Sequence, residues 1–256
     1  MRFNGIKSYR TPILERLQSS PFKLLTLFVE KITANKRSFY SIYGEDAIIM
    51  GLLDRYTMHT GQQLKLSYVD IGAWRPIKGS NTYFLYKNGS TGTVIEPNPH
   101  FNRLWKSVRP RDKYLSIGCG NEKFANLQIF HPSAASNTFN TKFAKEIIDS
   151  QAHEVTQILE VPLRSLGEII SGHVASFQQP FMLDIDIEGM DYEVVSSYDF
   201  PNGFRPVIIL IEDKPPVGDS TDSHMIQNFL ASKRYKLIAR TVVTAVYIDE
   251  SSFLII

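Results

Sequence analysis

Residues Lys65 to Pro99 read KLSYVDIGAWRPIKGSNTYFLYKNGSTGTVIEPNP, and this stretch decides the fold. Leu66 to Ile71 is an apolar, β-rich run of the kind required of a strand buried on both faces, and Gly72 breaks it. Ser80-Asn81 can cap a helix carrying Tyr83, Phe84 and Tyr86, Gly89 can stop it, and Thr93-Val94-Ile95 opens a second strand. Strand, helix and strand at these lengths form the βαβ crossover of a parallel sheet, whose ligands sit beyond the carboxyl ends of the strands. Asp70, Gly72 and Glu96 all fall at such ends.

Those positions have a readable chemistry. Gly72 and Ala73 leave room for a ligand to approach the backbone, and Glu96, ending the second strand, is placed to accept hydrogen bonds from both hydroxyls of a ribose. The ligand expected is an adenosine derivative. A dinucleotide site would want a fuller G-x-G-x-x-G and a helix amino end free for pyrophosphate, whereas Gly72 is followed by Ala73, Trp74, Arg75 and Pro76. This favours S-adenosylmethionine, which has no phosphate to cradle.

With these features the sequence resembles the FkbM-type S-adenosylmethionine-dependent methyltransferases. The resemblance is carried by Tyr40-Ser41-Ile42-Tyr43-Gly44-Glu45-Asp46, Val69-Asp70-Ile71-Gly72-Ala73, Pro76, Ser80-Asn81-Thr82-Tyr83, Gly92, Glu96-Pro97-Asn98-Pro99, Asp186-Ile187-Glu188-Gly189, and Arg205-Pro206 leading to Glu212. It spans roughly Phe39 to the C-terminus, and the ordered set is far more specific than any one piece. It implies a Rossmann-like, seven-stranded, mostly parallel sheet with helices on both faces. It also implies a cofactor site drawn from Asp70, Gly72, Ala73, Asn81, Thr82, Glu96, Pro97, Gly118, Cys119 and Asp184, and a sugar hydroxyl as acceptor. Two departures stand out: Asp184 replaces a Lys found in many members, and Trp74 replaces an Asn.

At 256 residues and 43% apolar composition, the chain accommodates one generous α/β domain, 39–256, plus an appendage, 1–38. The net charge of +2 conceals an asymmetry, since residues 1–37 carry eight Lys/Arg against two Glu and leave the remainder net acidic. An acidic domain is a poor nucleic-acid binder. The basic segment reads as helical pieces broken at Pro12 and Pro21, with Leu24, Leu25, Phe28, Val29 and Ile32 at helical spacing. Such a stripe packs on the domain or on a second copy of the chain as in a homo-oligomer, while its basic face also suits weak contact with an anionic membrane surface. Cys119 is the only cysteine, which rules out an internal disulfide and fits a reducing compartment. With neither a membrane-spanning run nor an export signal recognised, the expected location is the cytoplasm, peripherally at the inner face of the membrane if the segment binds there.

Further along, Gly44-Glu45-Asp46 begins a helix to Met58 with Ala47, Ile48, Leu52 and Leu53 on its apolar face. Tyr114 to Ile117 is the third strand, ended by a glycine-rich turn, Gly118 to Asn121, where adenine can lie against backbone beside Cys119. Leu127 to Phe130 is a short strand, Pro132 to Asn140 a polar loop that fits an ordinary surface loop by its residues and that the resemblance implies to be an acceptor loop, and Phe143 to Ile158 a helix. Val161 to Ile170 returns through a short strand and a helix from Ser165.

Phe181 to Glu188 is the fourth strand and holds the densest charge. Asp184, Asp186 and Glu188 share one face by period 2, an arrangement that is costly unless it lines a polar site or meets positive charge. S-adenosylmethionine brings a sulfonium and an ammonium. A divalent cation is the other option: Mg²⁺ or Mn²⁺ held by Asp186, Glu212 and Asp213, the latter two at the end of the fifth strand, Val207 to Glu212. Glu212 and Asp213 suit substrate hydroxyls equally well. Asp186 or Glu188 is the expected base in an in-line methyl transfer to oxygen. His224, at the start of a helix to Lys233, is a weaker candidate base. Strands Tyr235 to Val242 and Thr244 to Ile248 complete the sheet. Two other functions stay open: a non-catalytic adenosine-binding or assembly subunit of a glycan-modifying complex, and an NAD-dependent oxidoreductase.

Overall fold

The computed structural model describes residues 38–150, 153–177, 180–213 and 223–252. The amphipathic reading of residues 1–37 falls outside these. From Phe39 onward the chain forms one compact unit.

Its elements follow in order. Helix α1 (Glu45–Thr60) precedes β1 (Ser67–Ile71), α2 (Tyr83–Lys87) and β2 (Gly92–Ile95). A 3₁₀ turn (Pro99–Phe101) leads into α3 (Asn102–Val108), then β3 (Lys113–Leu115), β4 (Gly118–Cys119) and β5 (Phe124–Ile129). Next are α4 (Thr141–Asp149), β6 (Gln157–Arg164), α5 (Leu166–Val174), β7 (Phe181–Ile185) and α6 (Asp191–Ser196). The chain closes with β8 (Ile208–Glu212), α7 (Ser223–Ser232), β9 (Tyr235–Arg240) and β10 (Thr244–Asp249).

Seven strands make the main sheet in the order β3-β2-β1-β7-β8-β10-β9. All ladders are parallel except those of β10, which runs antiparallel to β8 and to β9. The strand order reverses between β1 and β7, so the crevice beyond their carboxyl ends is the topological switch point.

Period-2 alternation sends side chains of these strands into two cores. Val69, Ile71, Leu183, Ile185, Ile209 and Ile211 pack with α5, α6 and α7 through Ile169, Ile170, Val194, Val195, Ile226 and Leu230. Tyr68, Val94, Met182, Ile208 and Leu210 pack on the opposite face with Ile49, Leu85 and Trp105 from α1, α2 and α3. Burial on both faces explains why β1, β7 and β8 are near-continuous apolar runs.

Four local expectations are corrected. The apolar face of α1 packs half-buried through Ile48, Leu52 and Leu53, but the fully buried residues are Glu45, Asp46, Ile49 and Met50, with Glu45 bordering the site and Asp46 accepting from Tyr40 and Ser41. The first half of the expected Gly118–Asn121 turn is instead β4, Gly118–Cys119, paired in parallel with β6. The expected helix from Phe143 ends at Asp149, and β6 runs for eight residues, six of them paired antiparallel with β5. Finally, β7 stops at Ile185, so Asp186 and Glu188 reach the crevice from a loop in which Glu188 takes φ 53. The extended pleat does not place them. Sheet β4-β6-β5 roofs the carboxyl ends, and the loop 131–140 hangs from it through the Gln128–Thr138 bridge.

Candidate functional site

Two cavities open over the switch point. The first, about 580 Å³ with its mouth included, is lined largely by apolar groups, among them Ile71, Ile95, Leu127, Phe139 and Met190, with Glu96 as a polar anchor. The second, about 910 Å³ by the same measure, is an acidic cleft bordered by Glu45, Asp70, Asp184, Asp186, Glu188 and Glu212. Gly72, Trp74, Ala135, Asp186 and Glu188 border both, so the cavities join where two carboxylates stand.

Glu96 is fixed by backbone. Trp74 N–H donates to its Oε2 (2.8 Å) and Asn98 N–H to its Oε1 (2.7 Å). Burial pushes its carboxyl up to about 8 against these two donors. The turn that follows is held too, since the Asn98 side chain accepts from His100 N–H and donates to the Pro132 carbonyl.

Asp70 and Asp184 are register partners on neighbouring strands, so their carboxyls stand side by side on one face of the sheet. Burial raises both, Asp70 to about 6 with Arg109 opposing, and Asp184 well above the usual range with Asp70 adding to the rise. The Thr82 hydroxyl donates to Asp70, and Asn81 Nδ2 donates to Asp184 Oδ1 (3.3 Å). Behind Thr82 lies the fully buried Arg109. It is ion-paired to Asp112 at 2.6 Å, hydrogen-bonded to Ser80 and Thr82 at 3.1 Å, and stacked near Tyr68, Tyr86 and Trp105. Asp112 in turn accepts from the Tyr68 hydroxyl and Gly92 N–H.

The loop after β7 is held by Asp191, which accepts from Ile187 N–H and Gly189 N–H at 3.1 Å each. Thr138 hydroxyl donates to the Glu188 carbonyl and Asn140 Nδ2 to the Gly189 carbonyl, tying the loop 131–140 to the same segment. Burial raises Asp186 well above the carboxylate range, and Glu212, Glu188, Asp191 and Asp184 all raise it further. Burial takes Asp191 to about 7, with Glu212 adding to the rise.

Twelve of the sequence-derived residues lie together: Gly72, Glu96, Pro97, Gly118 and Cys119 around the first cavity, Asp70, Ala73, Asn81, Asp184 and Glu212 around the second, with Gly72 shared and Asp186 and Glu188 at the junction. Gly72 carries a different load from the one expected. With φ 83, a Cβ there would sit 1.7 Å from the Asp186 carbonyl oxygen, so the missing side chain makes room for the neighbouring loop. Thr82 does not line either cavity; it is fully buried behind Asp70 and orients that carboxylate. Cys119 is buried, and burial pushes its thiol up to about 12, the state of an inert packing residue.

The proposed cation set is not assembled. Asp213 turns away into an ion pair with Arg240 at 2.7 Å, and its backbone N–H is bound to the Val243 carbonyl. Among the described residues, no group of three His, Cys, Asp or Glu is arranged to hold a metal ion. His224 is exposed and borders neither cavity. Arg205, part of the quoted motif, clamps Asp249 at 2.8 Å and the Phe200 and Lys233 carbonyls, a structural role away from the cleft.

Sequence reasoning passed over Arg109 and Asp191, and quoted Asn98 and Glu45 only as parts of the family motifs. Glu45 borders the cleft and accepts from the Thr241 and Thr244 hydroxyls. Its position in an acidic pair after Gly44 was the available signal; Arg109 stands in Arg109-Pro110-Arg111, a run that in sequence reads as the close of a helix.

A sheet of this order, with an acid at the tip of β2 and a cleft at its switch point, defines a Rossmann-like methyltransferase fold. The family model "Methyltransferase FkbM domain" matches residues 70–237, and the chain belongs to that family. It is therefore a methyltransferase. No curated protein matches the chain. Among the described residues, no helix is long and apolar enough to cross a membrane.

Proposed function

We propose that this methyltransferase uses S-adenosylmethionine and methylates an oxygen, a sugar hydroxyl of a glycan or glycosylated metabolite. The observation that carries the reading is the junction at which Asp186 and Glu188 border both an apolar pocket and an acidic cleft. The residues fit the cofactor. Glu96 keeps lone pairs for ribose hydroxyls, the apolar pocket suits adenine against Gly118 and Cys119, and the carboxylates of the cleft suit a sulfonium and an ammonium. When bound, S-adenosylmethionine supplies an electrophilic methyl group for in-line displacement by an oxygen nucleophile.

The chain's own residues do the rest. Asp186 accepts the acceptor's hydroxyl proton: burial and neighbouring acids favour its protonated form, and positive charge in the cleft opposes them and leaves it ionised to act as base. Glu188, in its left-handed backbone position, orients the same hydroxyl. The loop 131–140 covers the junction and excludes water, with Ala134, Ala135, Asn137 and Phe139 facing the pocket. Pyrophosphate is disfavoured here, since the space beside Gly72 is bordered by acids that repel it; this argues against a dinucleotide. The saccharide class rests on the family resemblance.

Catalysis belongs to domain 39–256 in our reading, with 1–38 a basic appendage that seats the enzyme on a second copy or on an anionic inner membrane surface of the cytoplasm. Incubation of candidate glycans with the full chain and S-adenosylmethionine tests the function by intact mass. A gain of one methyl per acceptor, lost in Asp186→Asn, supports it. Unmethylated glycans throughout, with cofactor bound, would instead favour a non-catalytic adenosine-binding subunit.

A further inference from the structure

Trp74 stands where the two cavities meet and is held there from every side. Its backbone takes φ 45, a left-handed conformation rare for a bulky side chain. Its N–H donates to Glu96 (2.8 Å), its carbonyl accepts from Trp105 Nε1 (3.0 Å), and its own Nε1 donates to the Ser133 carbonyl (3.0 Å). The Arg75 guanidinium lies 4.7 Å from the ring centroid. Gly79 gives the ring space, for a Cβ there would sit 2.9 Å from Cζ3. An aromatic ring so constrained is a rigid surface, and it borders the pocket and the cleft together with Asp186 and Glu188. Tyr43, half exposed, adds a second ring at the cleft margin.

A pyranose ring has hydroxyls around its edge and an apolar C–H face. A flat indole beside carboxylates offers both complements at once: apolar contact for the face, strong acceptors for the edge. An open-chain polyol carries the same hydroxyls and no such face.

We propose that Trp74 determines acceptor specificity, its indole being the wall against which the ring of a cyclic saccharide packs while Asp186 and Glu188 hold its hydroxyls. The proposal rests on the saccharide reading above for the acceptor class. The flat ring is what matters, so Trp74→Phe preserves the preference although it loses the bond to Ser133. Trp74→Asn, which tolerates a left-handed backbone, abolishes the preference.

Two measurements on the full chain test this. Tryptophan fluorescence is titrated with methyl pyranosides and with the matching alditols, S-adenosylhomocysteine being present. Only Trp74 and Trp105 emit, and Trp105 is fully buried. Methyl transfer gives kcat/KM for the same compounds in wild type, Trp74→Phe and Trp74→Asn. Pyranosides and not alditols are expected to shift the emission, and the pyranoside-to-alditol ratio is expected to fall about tenfold or more in Trp74→Asn, with Trp74→Phe within about threefold of wild type. Methyl transfer with no pyranoside-specific shift, or with an unchanged ratio in Trp74→Asn, overturns the role of Trp74 and leaves the function standing. A pyranoside-specific shift without methyl transfer does the reverse. Absence of both overturns both, and the wild-type titration decides even if Trp74→Asn fails to fold.

Discussion

The two halves of the site treat negative charge in opposite ways. On the β1–β2 side each acid is answered by donors: Glu96 by two backbone N–H groups, Asp70 by Thr82 with Arg109 behind it, Asp112 by Arg109, Tyr68 and Gly92. On the β7–β8 side the charges acting most strongly on Asp186 are other carboxylates: Glu212, Glu188, Asp191 and Asp184. The first half is architecture completed by the protein itself. In the second, Asp184 and Asp191 accept donors too, yet the acids still raise one another, a cost in stability that on our reading suits a positively charged ligand.

Neutralising one charged group on each side should separate the two. Asp186→Asn is expected to lower kcat by roughly 10²–10⁴-fold while leaving the fold as stable as wild type or more so, because it removes mutual repulsion. Steady-state kinetics and urea unfolding on one preparation check both parts; a marked loss of stability would mean that Asp186 is structural.

On the answered side the effect falls on folding. Arg109→Met strands Asp112 and removes the support of Asp70, and is expected to cost about 3–5 kcal/mol by denaturant unfolding, the penalty of breaking a buried ion pair. A loss below about 1 kcal/mol would mean the network is loosely coupled.

Glu96→Gln places an amide N–H against one of two backbone donors and weakens ribose binding. S-adenosylmethionine affinity should fall about 10–100-fold by calorimetry, with kcat at saturation affected less.

The pH dependence sharpens the contrast. Glu96, Asp191 and Asp70 titrate at about 8, 7 and 6 when folded, all above ordinary carboxyl values. Folded protein therefore binds more protons than unfolded protein, so stability from these groups is full below about pH 4 and is lost as pH rises through 6 to 8. Thermal melting of the ligand-free chain should drop by about 5 °C between pH 5.5 and 8.5, and S-adenosylmethionine should flatten the slope. A melting temperature that rises over this window contradicts the buried-acid assignment.

Much of this was legible in sequence because the deciding signals are local. Leu66–Ile71, Gly72, Ser80 and Thr93–Ile95 lie in one continuous stretch, and the apolar run before Gly72 marked β1 as buried on both faces. What escaped depends on partners distant in sequence. Gly118–Cys119 looks like a turn until Leu163 and Arg164 arrive beside it, and Arg109 looks like a helix end until Asp112, Ser80 and Thr82 enclose it. Asp213 shows period-2 alternation holding past the strand end. It follows Glu212 at the strand end, but one residue further the side chain faces Arg240 and not the cleft.

The most direct test is titration calorimetry of the full chain with S-adenosylmethionine and, separately, NAD. One S-adenosylmethionine per chain, weakened in Glu96→Gln and with no heat from NAD, is the expected result. NAD binding with no response to S-adenosylmethionine would contradict it.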